Sequence, residues 1–162
     1  MRKKKFNIGD IYCVDLDDNT KKYFQYVAND ISQLNSDVIR VFKKAYLKTE
    51  TPRLEDVISD DVAFYTHVVL EFGITLKKWE KVGNISDVGK VDLLFRDSQD
   101  YGNPQIKVSN DWWVWRTNED PKRVGRLTGD NRNAEIGIVV TPLDIVERMR
   151  TGKYDFVYPE FE

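Results

Sequence analysis

The chain predicts a mainly β protein, within the all-β to α+β range: a strongly bent antiparallel sheet or partly open barrel with one C-terminal helix. Three observations predict it. Short segments of alternating apolar and polar residues recur through most of the 162 residues, separated by Asp-, Asn-, Gly- and Pro-containing breaks. Only the stretch 141–152 combines a helical period with capping signals at both ends. Eight or nine such short strands share one core most simply in a bent sheet or partial barrel, and a chain of this length is most simply one domain, 1–162.

In "IYCVDL" (11–16), Tyr12, Val14 and Leu16 fall on one face. "DDNT" (17–20) is a turn, since Asp and Asn bond their own backbone. "KKYFQYVAN" (21–29) returns as the second strand of a hairpin. It places Phe24, Tyr26 and Ala28 opposite Tyr23, Gln25 and Val27. A loop, 29–37, leads to a third strand, 38–46. The segment 47–61, with Pro52, Leu54, Val57 and Ile58, predicts a short helix or turn packed over the sheet. "VAFYTHVVLEFG" (62–73) is the strongest strand, apolar on both faces at its start, and is expected to lie centrally.

Two further strands are expected at 76–84 and 90–98, around a turn-rich loop, and 99–105 is a loop. "DWWVWRT" (111–117) is a strand paired with 122–129 across "NEDP", and 134–140 is the last strand. Alternation puts Trp113 and Trp115 together, facing the core, with Trp112 partly covered on the other side. In "TPLDIVERMRTG", Thr141 is the N-cap, Pro142 the first helical residue and Gly152 the C-cap. Leu143, Ile145, Val146 and Met149 form the apolar stripe. The aromatic tail "KYDFVYPEFE" is expected to dock on the domain.

Composition narrows the chemistry. Lys and Arg total 25 against 27 Asp and Glu, for a net charge of −2. This balance argues against a protein that neutralises nucleic-acid phosphates, and the basic head "RKKK" (2–5) reads as a solvated tail. One cysteine, Cys13, excludes an intrachain disulfide. With no apolar stretch after the basic start and no membrane-length run, a cytoplasmic location is expected. One His and one Cys cannot build the usual zinc sites, and "DLDDNT" lacks the glycine and distal glutamate of a Ca²⁺ loop, so no metal or cofactor is expected. Cys13 and His67 are the only Cys/His combination, and both read as buried within strands. "GNISDVGK" (83–90) lacks the spacing of a phosphate loop. The acidic pairs Glu55/Asp56 and Asp60/Asp61 carry no mark of a catalytic pair. No catalytic residue is assigned.

"FNIGDIYCVDLDDNTKKYFQYVAND" (6–30) carries a resemblance. Lysines (Lys3–Lys5), a Gly9-Asp10-Ile11 strand start, an acidic turn (Asp17-Asp18) and a return strand with Tyr23, Phe24 and Tyr26 resemble the opening of the immunity protein 26 family of bacterial polymorphic toxin systems. The resemblance lies mainly over residues 6–44. The chain departs from it in the 47–61 segment and the capped helix 141–151. The resemblance implies a mostly β fold and a non-enzymatic cytoplasmic protein that binds and neutralises a cognate protein toxin, and it brings no catalytic residues. The alternative from the residues themselves is a nucleic-acid or small-ligand binding module using the aromatic strand 111–117. An enzyme acting through carboxylates or Cys13 is a third reading.

Overall fold

A computed structural model describes residues 5–162, and Arg2, Lys3 and Lys4 of the basic head lie outside the described residues. The strands are β1 (Asp10–Asp15), β2 (Thr20–Asp30), β3 (Ser36–Phe42), β4 (Tyr46–Leu47), β5 (Val62–Val68), β6 (Glu80–Asn84), β7 (Leu94–Ser98), β8 (Trp112–Arg116), β9 (Lys122–Gly125) and β10 (Glu135–Ile136). The helices are α1 (Leu54–Ile58), α2 (Leu70–Thr75) and α3 (Pro142–Thr151), with a 3-10 turn at Gly129–Asn133. The protein is mainly β, as the alternation predicts.

Among the described residues ten strands form two sheets. The first runs β5-β3-β2-β1-β6, with β4 added to β2. The second runs β10-β7-β8-β9. One segment stitches them together. Glu135 and Ile136 pair in parallel with Phe95 and Arg96 of β7, and Val139 then bridges to His67 of β5. The bent sheet is therefore real, but it does not close into a barrel: β6 and β9 end their sheets.

The first sheet is the central layer. Its one face, with Tyr12, Phe24, Ile39, Val41 and Phe64, is covered by Leu70 and Trp79, by Ile145 and Met149 of α3, and by the C-terminal tail. Its other face is shared. Ile11, Cys13, Tyr23 and Phe42 pack against Val57 of α1, while Val27 and Val38 pack against Phe95 and Trp115 of the second sheet. The far face of the second sheet buries Trp112 and Val114 under Leu127, Tyr158 and Phe161. The tail docks, as expected, and reaches both sheets.

Gly9, Asp10, Ile11 and the first hairpin hold this layer together. Gly9 has φ +96, and a Cβ there would lie 2.5 Å from the Ile85 carbonyl oxygen. Asp10 is fully buried and accepts from the Asn7 N–H (2.9 Å) and from Asn84 Nδ2 (2.9 Å), with Lys81 Nζ at 2.9 Å. Burial works against its charge, but these bonds outweigh burial and hold its carboxyl below the usual range. Ile11 is fully buried. The hairpin forms across Asp18 and Asn19 (φ 72), with the Asp18 side chain accepting from Thr20 N at 3.2 Å.

Several expectations are corrected. The strand expected over 62–73 stops at Val68, because the Trp79 ring occupies the place of a Gly73 side chain and its N–H bonds the Leu70 carbonyl (3.3 Å), so the chain winds into α2. That strand is not central but ends its sheet, its two apolar faces satisfied by α3 and the tail on one side and the second sheet on the other. The 29–37 loop shrinks to a tight turn, since β2 runs to Asp30 and Leu34 and Asn35 both take positive φ (56 and 52). The strands of 76–84, 90–98, 122–129 and 134–140 are shorter than their apolar runs. In α3 the cap is as read, with Thr141 accepting from Asp144 N (3.2 Å) and Gly152 ending the helix. The buried stripe, however, is Pro142, Ile145 and Met149. Leu143 is 58% exposed, because its position lies off the face that meets the sheet.

Candidate functional site: the aromatic strand and its flanking clefts

The tryptophan strand does not sort as alternation alone suggests. Trp112 is fully buried with Val114 on the far face, its N–H bonded to the Ser109 carbonyl (2.9 Å). Trp115 is buried between the sheets. Trp113, expected in the core, is only partly buried. The cause is the second sheet having two covered faces. The tail and Leu127 bury the Trp112 side as fully as the first sheet buries Trp115, and Trp113 lies beyond the overlap of the two sheets. Three tryptophan N–H groups have acceptors: Trp79, Trp112 and Trp115. The Trp113 Nε1 is without a partner among the described residues.

Trp115 belongs to a buried polar knot. Asp30, at the end of β2, is fully buried and accepts four bonds. Trp115 Nε1 (3.0 Å) and His67 Nε2 (2.9 Å) meet its Oδ2, and Ser32 N (3.1 Å) and Asn118 N (2.9 Å) meet its Oδ1. Burial pushes the carboxyl up, but the bonds from His67, Asn118 and Trp115 outweigh it and hold the value below the usual range. The knot joins the two sheets and reads as structural. His67 lies 4.2 Å from the Phe95 ring, centroid to centroid, and its Nδ1 has no partner among the described residues.

Beside Trp113 lies a cleft of about 300 Å³ lined by Trp113, Trp115, Asp97, Gln33, Gln99 and Pro121, together with Ser98. Asp97 is paired directly across the ladder from Trp113, so the two side chains are neighbours. Its Oδ1 accepts from Ser98 N (2.8 Å) and Tyr158 O–H (3.4 Å), and among the described residues no cation pairs with it. Burial pushes its carboxyl above the usual range. The turn that supplies Gln33 also displays Ile31 and Leu34, which are 72% and 82% exposed.

A second cleft, about 530 Å³, opens under the tail between Arg96, Arg148, Tyr154, Phe156 and Tyr158. Arg148 lies over the Phe64 ring (4.0 Å) and Arg96 over Trp112 (5.0 Å), with Glu135 3.8 Å from Arg148. These cations hold the aromatic tail in place.

Residues singled out in the sequence do not converge. Cys13 on β1 and His67 on β5 have two strands between them, and burial pushes the Cys13 thiol up, the opposite of an activated nucleophile. Glu55/Asp56 and Asp60/Asp61 are spent on α1 and on the Lys44 N–H (2.7 Å to Asp60). Among the described residues no cluster of His, Cys, Asp or Glu could hold a metal ion, and no helix is long and apolar enough to cross a membrane. Asp30, Asp97 and Gln33 were not legible beforehand. Only the pairing of β7 with β8 brings Asp97 to Trp113. No family model, curated protein or solved structure matches the chain.

Proposed function

We propose that this chain is a non-enzymatic immunity protein that binds and neutralises a cognate bacterial protein toxin. The observation that carries the reading is the surface around Trp113. A half-buried indole whose N–H has no partner, a carboxylate with no cation paired to it, both among the described residues, and a turn displaying Ile31 and Leu34 form the kind of aromatic-centred patch that anchors protein interfaces. The resemblance over 6–44 supports it too, since its Gly9, Asp10 and Ile11 are the residues this fold depends on.

The nucleic-acid alternative has less support. A stacking platform wants successive exposed rings beside cations. Here Trp112 and Trp115 are buried, and Arg123, directly across the ladder from Trp113, is paired with Asp111 at 2.7 Å.

The test is co-expression with the toxin encoded beside the chain's own gene in a heterologous bacterial host. The reading expects restored growth and a stable complex on size-exclusion chromatography. Continued killing with no complex overturns it.

A further inference from the structure

We infer that the cleft beside Trp113 receives the alkylammonium or guanidinium group of a lysine or arginine side chain presented by the protein partner, an inference that rests on the proposed function. Several observations converge. Trp113 and Trp115 line the cleft, and the face of an indole attracts a cation through its quadrupole. Elsewhere this protein fills such places itself: Arg96 lies over Trp112, Arg148 over Phe64 and Lys44 over Tyr46. Among the described residues no cation lies over Trp113 or Trp115.

Asp97 supplies the counter-charge. Among the described residues it is the only charged one lining the cleft. Its Oδ1 takes the Ser98 N–H and Tyr158 O–H, while its Oδ2 has no donor among the described residues. A partly buried carboxylate with one unmatched oxygen is complementary to an N⁺–H group. Gln33 and Gln99 add amide oxygens at the rim, suited to the remaining hydrogens of an ammonium or a guanidinium. The size fits as well. A volume of about 300 Å³ admits one long side chain and not a folded segment. The turn that brings Gln33 to the cleft also exposes Ile31 and Leu34, apolar surface that a partner docked over the cleft can cover.

The test uses the full chain and three probes: N-acetyl-lysine methylamide, N-acetyl-arginine methylamide and the neutral N-acetyl-norleucine methylamide. The indole N–H resonance of Trp113 is followed by NMR. The two cations are expected to shift it saturably, and the norleucine probe is not. Asp97→Asn, which keeps shape and volume, is expected to weaken the cations about tenfold, and Trp113→Leu to abolish the response at the cleft's other residues. Equal binding of the norleucine probe, or no shift with any probe up to its solubility, overturns the inference. Protection from the toxin without probe binding overturns the cleft assignment alone. Probe binding without protection overturns the partner reading and with it this source of the cation.

Discussion

Asp30→Asn isolates the knot between the sheets. The aspartate accepts from four donors, two on each oxygen: Trp115 Nε1 and His67 Nε2 on Oδ2, Ser32 N and Asn118 N on Oδ1. Asparagine has the same shape but one oxygen. With its NH₂ turned to the Oδ2 side, the amide donates to His67 Nε2, which accepts in the tautomer that carries its proton on Nδ1, and the Trp115 N–H loses its acceptor; turned the other way, the Ser32 and Asn118 N–H groups both lose theirs. Each orphaned buried donor costs about 1–3 kcal/mol. The orientation that orphans one donor is the less costly, so the net loss is about 1–3 kcal/mol out of a typical 5–15. For a chain of this length that lowers Tm by about 2–12 °C. Urea unfolding followed by circular dichroism measures the loss directly, with an unchanged slope showing that the native fold is retained. A midpoint within about 0.5 kcal/mol of wild type would refute the claim that Asp30 joins the sheets.

Four further expectations follow from the same geometry. Trp112→Ala costs about 3–5 kcal/mol and Trp113→Ala only about 1–2, the reverse of the order that alternation suggests, and urea midpoints of the two variants check it. Ile145→Ala costs about 2–5 kcal/mol while Leu143→Ala stays within about 0.5, which paired thermal melts would show. Cys13 reacts with a thiol reagent only as fast as the protein opens, because it is buried and its thiol is pushed up. The carboxyl of Asp30 is held below its unfolded value, so its stabilisation is fully present above about pH 4 and is lost as pH falls through the lowered native value. The stability gap between wild type and Asp30→Asn therefore narrows on titration from about pH 7 to about pH 3, and a constant gap would contradict this.

The sequence was most informative where one local rule decided the outcome. The first hairpin was legible because period-2 alternation and the Asp18-Asn19 turn agree, and the helix cap because Thr141, Pro142 and Gly152 each have one role. It was misleading where tertiary packing overrode the local pattern. "VLEFG" reads as strand until Trp79 fills the space over Gly73. Leu143 looks like core until α3 is rotated onto the sheet by Ile145 and Met149. The tryptophans were misjudged because alternation says which rings share a face but not which face is covered. The candidate site was the least legible part. Asp97 meets Trp113 only through the β7–β8 register, and Gln33 arrives from a turn some 80 residues away in sequence, a non-local juxtaposition that no motif announces.

The central claim is the proposal that the chain binds a protein toxin through the surface around Trp113. Amide hydrogen exchange, measured on the chain alone and in complex with a toxin that it neutralises on co-expression, tests it most directly. The account predicts slowed exchange over 31–36, 97–99 and 113–121, with the rest of the chain little changed. Protection confined to other surfaces, such as the tail cleft of Arg96 and Arg148, would contradict it.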